Sequence, residues 1–123
     1  MSDSECRVLV VDDDFDVANA LAELLSVNGY VVRTANDGLS ALAMVKEFRP
    51  DCVLLDIRMP GIDGLDLTRQ LRAAYRDDLV LVAVTGGSAD ESRVAQTFDL
   101  VDHYLAKPID IKKLEKILPP RST

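Results

Sequence analysis

The sequence predicts a doubly wound α/β domain: a five-stranded parallel sheet in the order 2-1-3-4-5 with helices on both faces. Three observations predict it. Short β-branched or wholly apolar runs recur five times, and each is followed by a segment whose apolar residues have helical spacing. The runs RVLVV, CVLLD and LVLVAV show almost no polar alternation, as strands buried on both faces of a parallel sheet require. Strict alternation of strand and helix implies right-handed crossovers and one central sheet, which a chain of 123 residues fills as one domain with its core over about 7–118.

Taken in order, strand 1 covers 7–11 and is stopped by Asp12-Asp13-Asp14. Helix 1 is predicted over 15–28, with Ala18, Leu21, Ala22 and Leu25 on one face, Asp14 as N-cap and Gly29 at the C-terminal cap. Strand 2 covers 30–34, and Asn36-Asp37-Gly38 turns the chain. Helix 2 places Leu39, Leu42, Ala43 and Val45 inward and ends before Pro50. Strand 3 covers 52–56. Pro60 and Gly61 end it, so Asp56 falls at the carboxyl end of a central strand. Helix 3 is predicted over 65–75 with Leu67, Leu71 and Ala74 inward, and Asp77-Asp78 breaks it. Strand 4 covers 79–84, with Thr85-Gly86-Gly87 at its carboxyl end. Ser88 and Glu91 have capping-box spacing, so a fourth helix should begin near Ala89. Its apolar content is thin (Val94, Ala95, Phe98), which marks it as the least stable of the five. Strand 5 covers 103–106 and ends at Lys107-Pro108. Asp110 caps a fifth helix with an Ile111, Leu114, Ile117, Leu118 stripe, stopped by Pro119-Pro120.

Apolar residues make up 48% and charged residues 28% of the chain, a globular composition. No apolar run approaches the roughly 20 residues of a membrane span, and the acidic, polar start Met1-Ser2-Asp3-Ser4-Glu5 is unlike a secretory signal. The expectation is a cytoplasmic protein that does not engage membranes. Cys6 and Cys52 are then reduced packing residues. Fourteen Lys and Arg face 21 Asp and Glu, a net charge of −7, which opposes direct nucleic-acid binding.

In the order 2-1-3-4-5 the carboxyl ends of strands 1, 3, 4 and 5 meet on one edge, where open α/β sheets bind ligands. They deliver Asp12 and Asp13, Asp56, Thr85, and Lys107. Singly, an Asp here would cap a helix or start a turn, Thr85 would end a strand, and Lys107 would be a solvated turn residue. Together they form a site. Crowded carboxylates repel unless a cation joins them, and hard oxygen ligands with room for water suit Mg2+ (or Mn2+). A Lys and a Thr hydroxyl can hold phosphoryl oxygens, and an Asp carboxylate is a nucleophile for phosphoryl groups. The set makes chemical sense as a site that accepts phosphate onto Asp56. His103, the sole histidine, reads as a packing or surface residue.

The segments Val10-Val11-Asp12-Asp13-Asp14, Leu54-Leu55-Asp56-Ile57-Arg58-Met59-Pro60-Gly61 with Asp63-Gly64, Val84-Thr85-Gly86 and Tyr104-Leu105-Ala106-Lys107-Pro108 resemble the receiver domain of two-component response regulators, across nearly the whole chain. The resemblance implies the flavodoxin-like (βα)5 fold and phosphorylation of Asp56 by a histidine kinase or histidine phosphotransfer protein. It implies that Asp13, Asp56 and the Arg58 backbone carbonyl bind Mg2+ directly and that Asp12 acts through water. Thr85 would move toward the phosphoryl group, Tyr104 would swing inward behind it, and a cis Lys107-Pro108 bond would aim the lysine. The output surface would be the fourth helix, fifth strand and fifth helix, open to a downstream protein or to a phosphorylation-dependent homodimer. Such a domain assists only its own phosphorylation and dephosphorylation. It stands alone or is part of a longer chain, such as a regulator or hybrid kinase.

Two features depart from the commonest pattern. Gly86 and Gly87 should loosen the loop after Thr85, and Gly87 stands where a larger residue is often found. Arg58, two residues after Asp56, should lean over the site and alter water access to the acyl phosphate. Equal autodephosphorylation rates in the wild type and Arg58→Ala would remove that idea. Three other functions fit less well. A phosphatase similar to the haloacid dehalogenases needs a second Asp where Arg58 stands. A flavodoxin-like electron carrier needs a first loop that cradles phosphate, and Asp12-Asp13-Asp14 would repel it. A receiver that binds partners without phosphorylation would not need the complete acidic set with Thr85 and Lys107.

Overall fold

The computed structural model describes residues 6–57, 64–85 and 100–118. They form β1 (Arg7–Val11), α1 (Phe15–Val27), β2 (Val31–Ala35), α2 (Gly38–Phe48), β3 (Cys52–Asp56), α3 (Gly64–Tyr75), a 3-10 turn (Arg76–Asp78), β4 (Val80–Thr85), β5 (His103–Ala106) and a C-terminal helix (Ile111–Ile117). The strands make one parallel sheet in the predicted order β2-β1-β3-β4-β5. The predicted fourth helix, with Ser88, Glu91, Val94, Ala95 and Phe98, lies outside the described residues. So do Arg58, Pro60, Gly61, Gly86, Gly87 and Pro119-Pro120. Among the described residues no helix is long and apolar enough to cross a membrane.

β3 is central, with β1 on one side (Val8 opposite Cys52, Val11 opposite Leu55) and β4 on the other (Cys52 opposite Val80, Asp56 opposite Val84). All five of its residues are buried. Side chains alternate between the faces of the sheet, so the continuous apolar strands feed two cores. On one face Val8, Val10, Cys52, Leu54, Val82 and Val84 pack against Ala18 and Leu25 of α1 and Leu114 of the C-terminal helix. On the other, Leu9, Val11, Val53, Leu55 and Leu81 meet Ala41 and Val45 of α2 and Leu67 and Leu71 of α3. Each fully buried leucine contributes about 2 kcal/mol. Cys6 and Cys52 are both free and buried, and burial pushes the Cys52 thiol well above its usual range, so it stays an unreactive packing residue.

The caps follow the expected chemistry. Asp14 accepts hydrogen bonds from the Asp16 and Val17 N–H groups, and Asp110 from Lys112 N–H. Gly29 follows the α1 C-cap with φ 95°, where a side chain would clash. Two helical faces differ from expectation. Val45 is buried and Leu42 packs on the core as expected, but Leu39 is 71% exposed and Ala43 is also exposed, and Ala41 and Phe48 are buried in their place. Two apolar stripes compete on that helix, and the one ending in the large Phe48 ring wins the core because it removes more surface from water. On α3 the exposed Ala74 gives way to Tyr75, which packs on the core. Strands 2 and 4 run one residue later than predicted, at Val31–Ala35 and Val80–Thr85.

Candidate functional site

The carboxyl ends of β1, β3 and β4 and the segment after β5 converge, and the residues at and just past these strand ends build the site. After β1, Asp12 is buried at 4% exposure, while Asp13 is exposed. Every polar group of Asp12 is held. Its N–H donates to the Ala35 carbonyl at 3.1 Å, its carbonyl accepts from the Asn36 amide at 3.0 Å, and its Oδ1 accepts from Asp14 N–H at 2.9 Å. Its Oδ2 accepts from Lys107 Nζ at 2.9 Å. Asp56 closes β3 at 6% exposure, and its Oδ2 lies 3.2 Å from the same Nζ. Lys107 therefore bridges the first and third strands from a segment that β5 carries in. Its N–H donates to the Thr85 carbonyl at 2.8 Å, and the Lys107–Pro108 peptide is cis.

One oxygen from each of Asp12, Asp13 and Asp56 lies within 4.8 Å of the others. Lys107 supplies one positive charge among three carboxylates, which leaves an excess of two negative charges. The crowding shows in Asp13: partial burial first, then the charges of Asp56 and Asp12, raise its carboxyl above the usual range. For Lys107 burial pulls the ammonium down, but the Asp12 hydrogen bond and the charges of Asp56 and Asp12 outweigh it and hold the group above its usual value. It is a firm cation at neutral pH. A three-carboxylate group with one open, solvent-facing member fits a small hard divalent cation that keeps part of its water.

Thr85 ends β4 one residue beyond Val84, the partner of Asp56. Tyr104 sits opposite Ala83 and Ala106 opposite Thr85, so Tyr104 and Thr85 lie on the same face of neighbouring strands. Tyr104 is half-buried, and burial raises its phenol. The predicted roles of the Arg58 carbonyl, the Arg58 side chain and Gly87 fall outside the described residues. Two features escape a reading of the sequence. Asn36 is visible there only as the first residue of a turn, yet it grips the Asp12 carbonyl. Beside the acidic cluster an apolar cavity of about 460 Å³ runs between α1 and the segment after β5, lined by Val17, Leu21, Leu24, Leu54, Pro108 and Ile109 among others.

Comparison with known proteins agrees with this geometry. A family model described as the response regulator receiver domain matches residues 8–119. Response regulator MprA of Mycobacterium leprae is 45% identical over 108 residues, covering 88% of this chain and 47% of that protein. Its counterpart in Mycobacterium ulcerans is 44% identical over the same length. The chain thus spans about half the length of the curated relatives it matches. Among solved structures, a response regulator receiver protein from Pseudomonas putida is 32% identical with a TM-score of 0.83, covering 91% of this chain and 93% of that one. A CheY-like receiver domain protein from Methanospirillum hungatei is 26% identical with a TM-score of 0.83, covering 92% and 90%. With the family matched over nearly its whole length and the five-stranded order reproduced, the chain belongs to the receiver domains of two-component response regulators.

Proposed function

We propose that this receiver takes a phosphoryl group from a phosphohistidine donor onto Asp56 and uses the acyl phosphate to reset a partner-binding surface. The observation that carries the reading is the Asp56 carboxylate: buried, at the end of the central strand, 3.2 Å from the Lys107 ammonium and grouped with Asp12 and Asp13. An Asp56 oxygen attacks phosphorus in line with the donor nitrogen. The O–P bond forms as the N–P bond breaks, and its electron pair returns to the imidazole. Lys107 faces the oxygens of the transferred group and offsets their charge. Thr85 receives a phosphoryl oxygen through its hydroxyl, and Tyr104 moves inward behind it.

Asp13, Asp56 and the Arg58 carbonyl would hold Mg2+ or Mn2+, with Asp12 acting through water. The bound cation would neutralise the excess negative charge on the phosphoryl oxygens and the carboxylates. Receiver domains are signalling switches rather than conventional enzymes, and this one would assist only its own phosphorylation and dephosphorylation. The donor is a histidine kinase or histidine phosphotransfer protein. The output is carried by the predicted fourth helix, β5 and the C-terminal helix, toward a downstream protein or a second copy. Residues 1–123 act as one such unit. Incubation with acetyl phosphate and Mg2+ should add one phosphoryl mass to the wild type and none to Asp56→Asn. Labelling that survives in the variant would remove Asp56 from the central role.

A further inference from the structure

The β1–β2 ladder stops at Val11 opposite Ala35, one residue short of the acidic site. Asp12 still donates its N–H to the Ala35 carbonyl. In a parallel ladder the next bond would run from Asp37 N–H to the Asp12 carbonyl. Asp37 has left the ladder to cap α2, its carboxylate accepting Ser40 N–H at 2.7 Å. The Asn36 side-chain amide takes its place, donating to the Asp12 carbonyl at 3.0 Å across 24 residues of sequence. A side chain thus continues the sheet for one step, at the peptide that leads from Asp12 into Asp13. The carboxylate and N–H of Asp12 are fixed by Lys107, Asp14 and Ala35. The carbonyl bond fixes the plane of the peptide itself, and with it the direction in which Asp13 leaves the backbone.

We propose that Asn36 is a positioning residue of the cation site: its amide holds the Asp12–Asp13 peptide so that Asp13 presents its carboxylate beside those of Asp12 and Asp56. This role rests on the proposed phosphoacceptor function of the site. Bonds that orient a ligand without touching the ion typically govern affinity by 10- to 100-fold. The test is calorimetric titration of Mn2+ into the full chain, with circular dichroism as a check on folding. Asn36→Ala and Asn36→Asp should each bind Mn2+ about 10-fold more weakly than the wild type, with the metal-free fold intact. Asn36→Asp separates positioning from charge. It keeps the side chain's size, loses the donor and adds a negative charge, so a purely electrostatic role would tighten binding. Either variant binding as tightly as the wild type overturns the inference. If Asn36→Ala does not fold, Asn36→Asp decides alone. A wild type that does not bind Mn2+ overturns the phosphoacceptor function, and this inference with it.

Discussion

Asp13→Asn should raise the melting temperature of the metal-free protein while nearly abolishing its phosphorylation. Burial and the neighbouring Asp56 and Asp12 charges hold the Asp13 carboxyl above its ordinary value. The folded chain therefore binds that proton more tightly than the unfolded chain does. Stability then falls as pH rises from the ordinary value of 3.8 through the raised one, and at neutral pH the ionised group opposes folding. An amide of the same shape cannot ionise. Because Asp13 is exposed and screened, the gain is only about 0.5–1 kcal/mol, or about 2–4 °C for a chain of this size. The same change removes the most open carboxylate of the proposed cation site. Loss of one group that stabilises transition-state charge costs about 100-fold or more in rate. The two effects separate in one pair of measurements: melts in chelator, and the initial rate of labelling by acetyl phosphate. Mg2+ should raise the wild-type melting temperature by mass action and leave the variant's almost unmoved. A variant that melts below the wild type without metal would show that the ionised Asp13 carboxylate does not oppose folding, and labelling at the wild-type rate would show that Asp13 does not help to hold the ion.

The conflict among these carboxylates is legible in the sequence, because it depends on topology. Once Arg7–Val11 and Cys52–Asp56 are parallel neighbours, their carboxyl ends and the residues next to them land on the same edge. Asp12, Asp13, Asp56 and Lys107 all stand at such positions. Local spacing also marks the caps at Asp14 and Asp110, since a cap is satisfied within three residues. The features that escape are set by competition or by distance. Leu39 and Phe48 lie on different stripes of one helix, and only the packing against the sheet, where Arg7 and Arg33 cover the Phe48 ring, chooses between them. Asn36 and Asp12 are 24 residues apart, and nothing near Asn36 distinguishes a turn residue from one that finishes a ladder. Arg72 is the extreme case: its spacing reports only an arginine on a helix, yet its bonds reach as far as Leu100 and Asp102.

Arg72→Ala should be strongly destabilising, although it removes a polar side chain and creates no cavity in either core. The guanidinium donates to the Leu100 carbonyl at 2.7 Å, the Leu79 carbonyl at 3.2 Å and the Asp102 carboxylate at 2.8 Å, and also to the Arg76 carbonyl. It thereby joins the end of α3, the 3-10 turn and the entries to β4 and β5. Asp102 completes the latch, accepting Leu81 N–H on the same oxygen at 2.8 Å while its own N–H donates to the Leu81 carbonyl. The Arg72 side chain is only 19% exposed, and truncation takes the partner from the part-buried Leu100 and Leu79 carbonyls and the charge from beside Asp102, while the exposed Arg76 carbonyl can turn to water. Each lost bond is worth about 1 kcal/mol and charged ones more, so the expected cost is about 2–4 kcal/mol, a fall of about 8–15 °C in melting temperature. Arg72→Lys keeps the charge but not the planar fork, and should recover less than half. The latch also has a pH signature. Burial pushes the Asp102 carboxyl up, but the Leu81 N–H and the hydrogen bond and charge of Arg72 outweigh it and hold the group below its ordinary value. Its contribution is therefore fully present above about pH 4 and lost as pH falls through the lowered value. Arg72→Ala should flatten that acid limb as well as lower the plateau. Because β5 is also paired to β4 through Val84–Leu105 and Thr85–Ala106, Lys107 keeps its anchorage. Labelling of the folded fraction should then fall far less than in Asp13→Asn. Unfolding within about 0.5 kcal/mol of the wild type, the usual range for surface substitutions, would mean that strand pairing alone seats β5 and that the arginine fork is incidental.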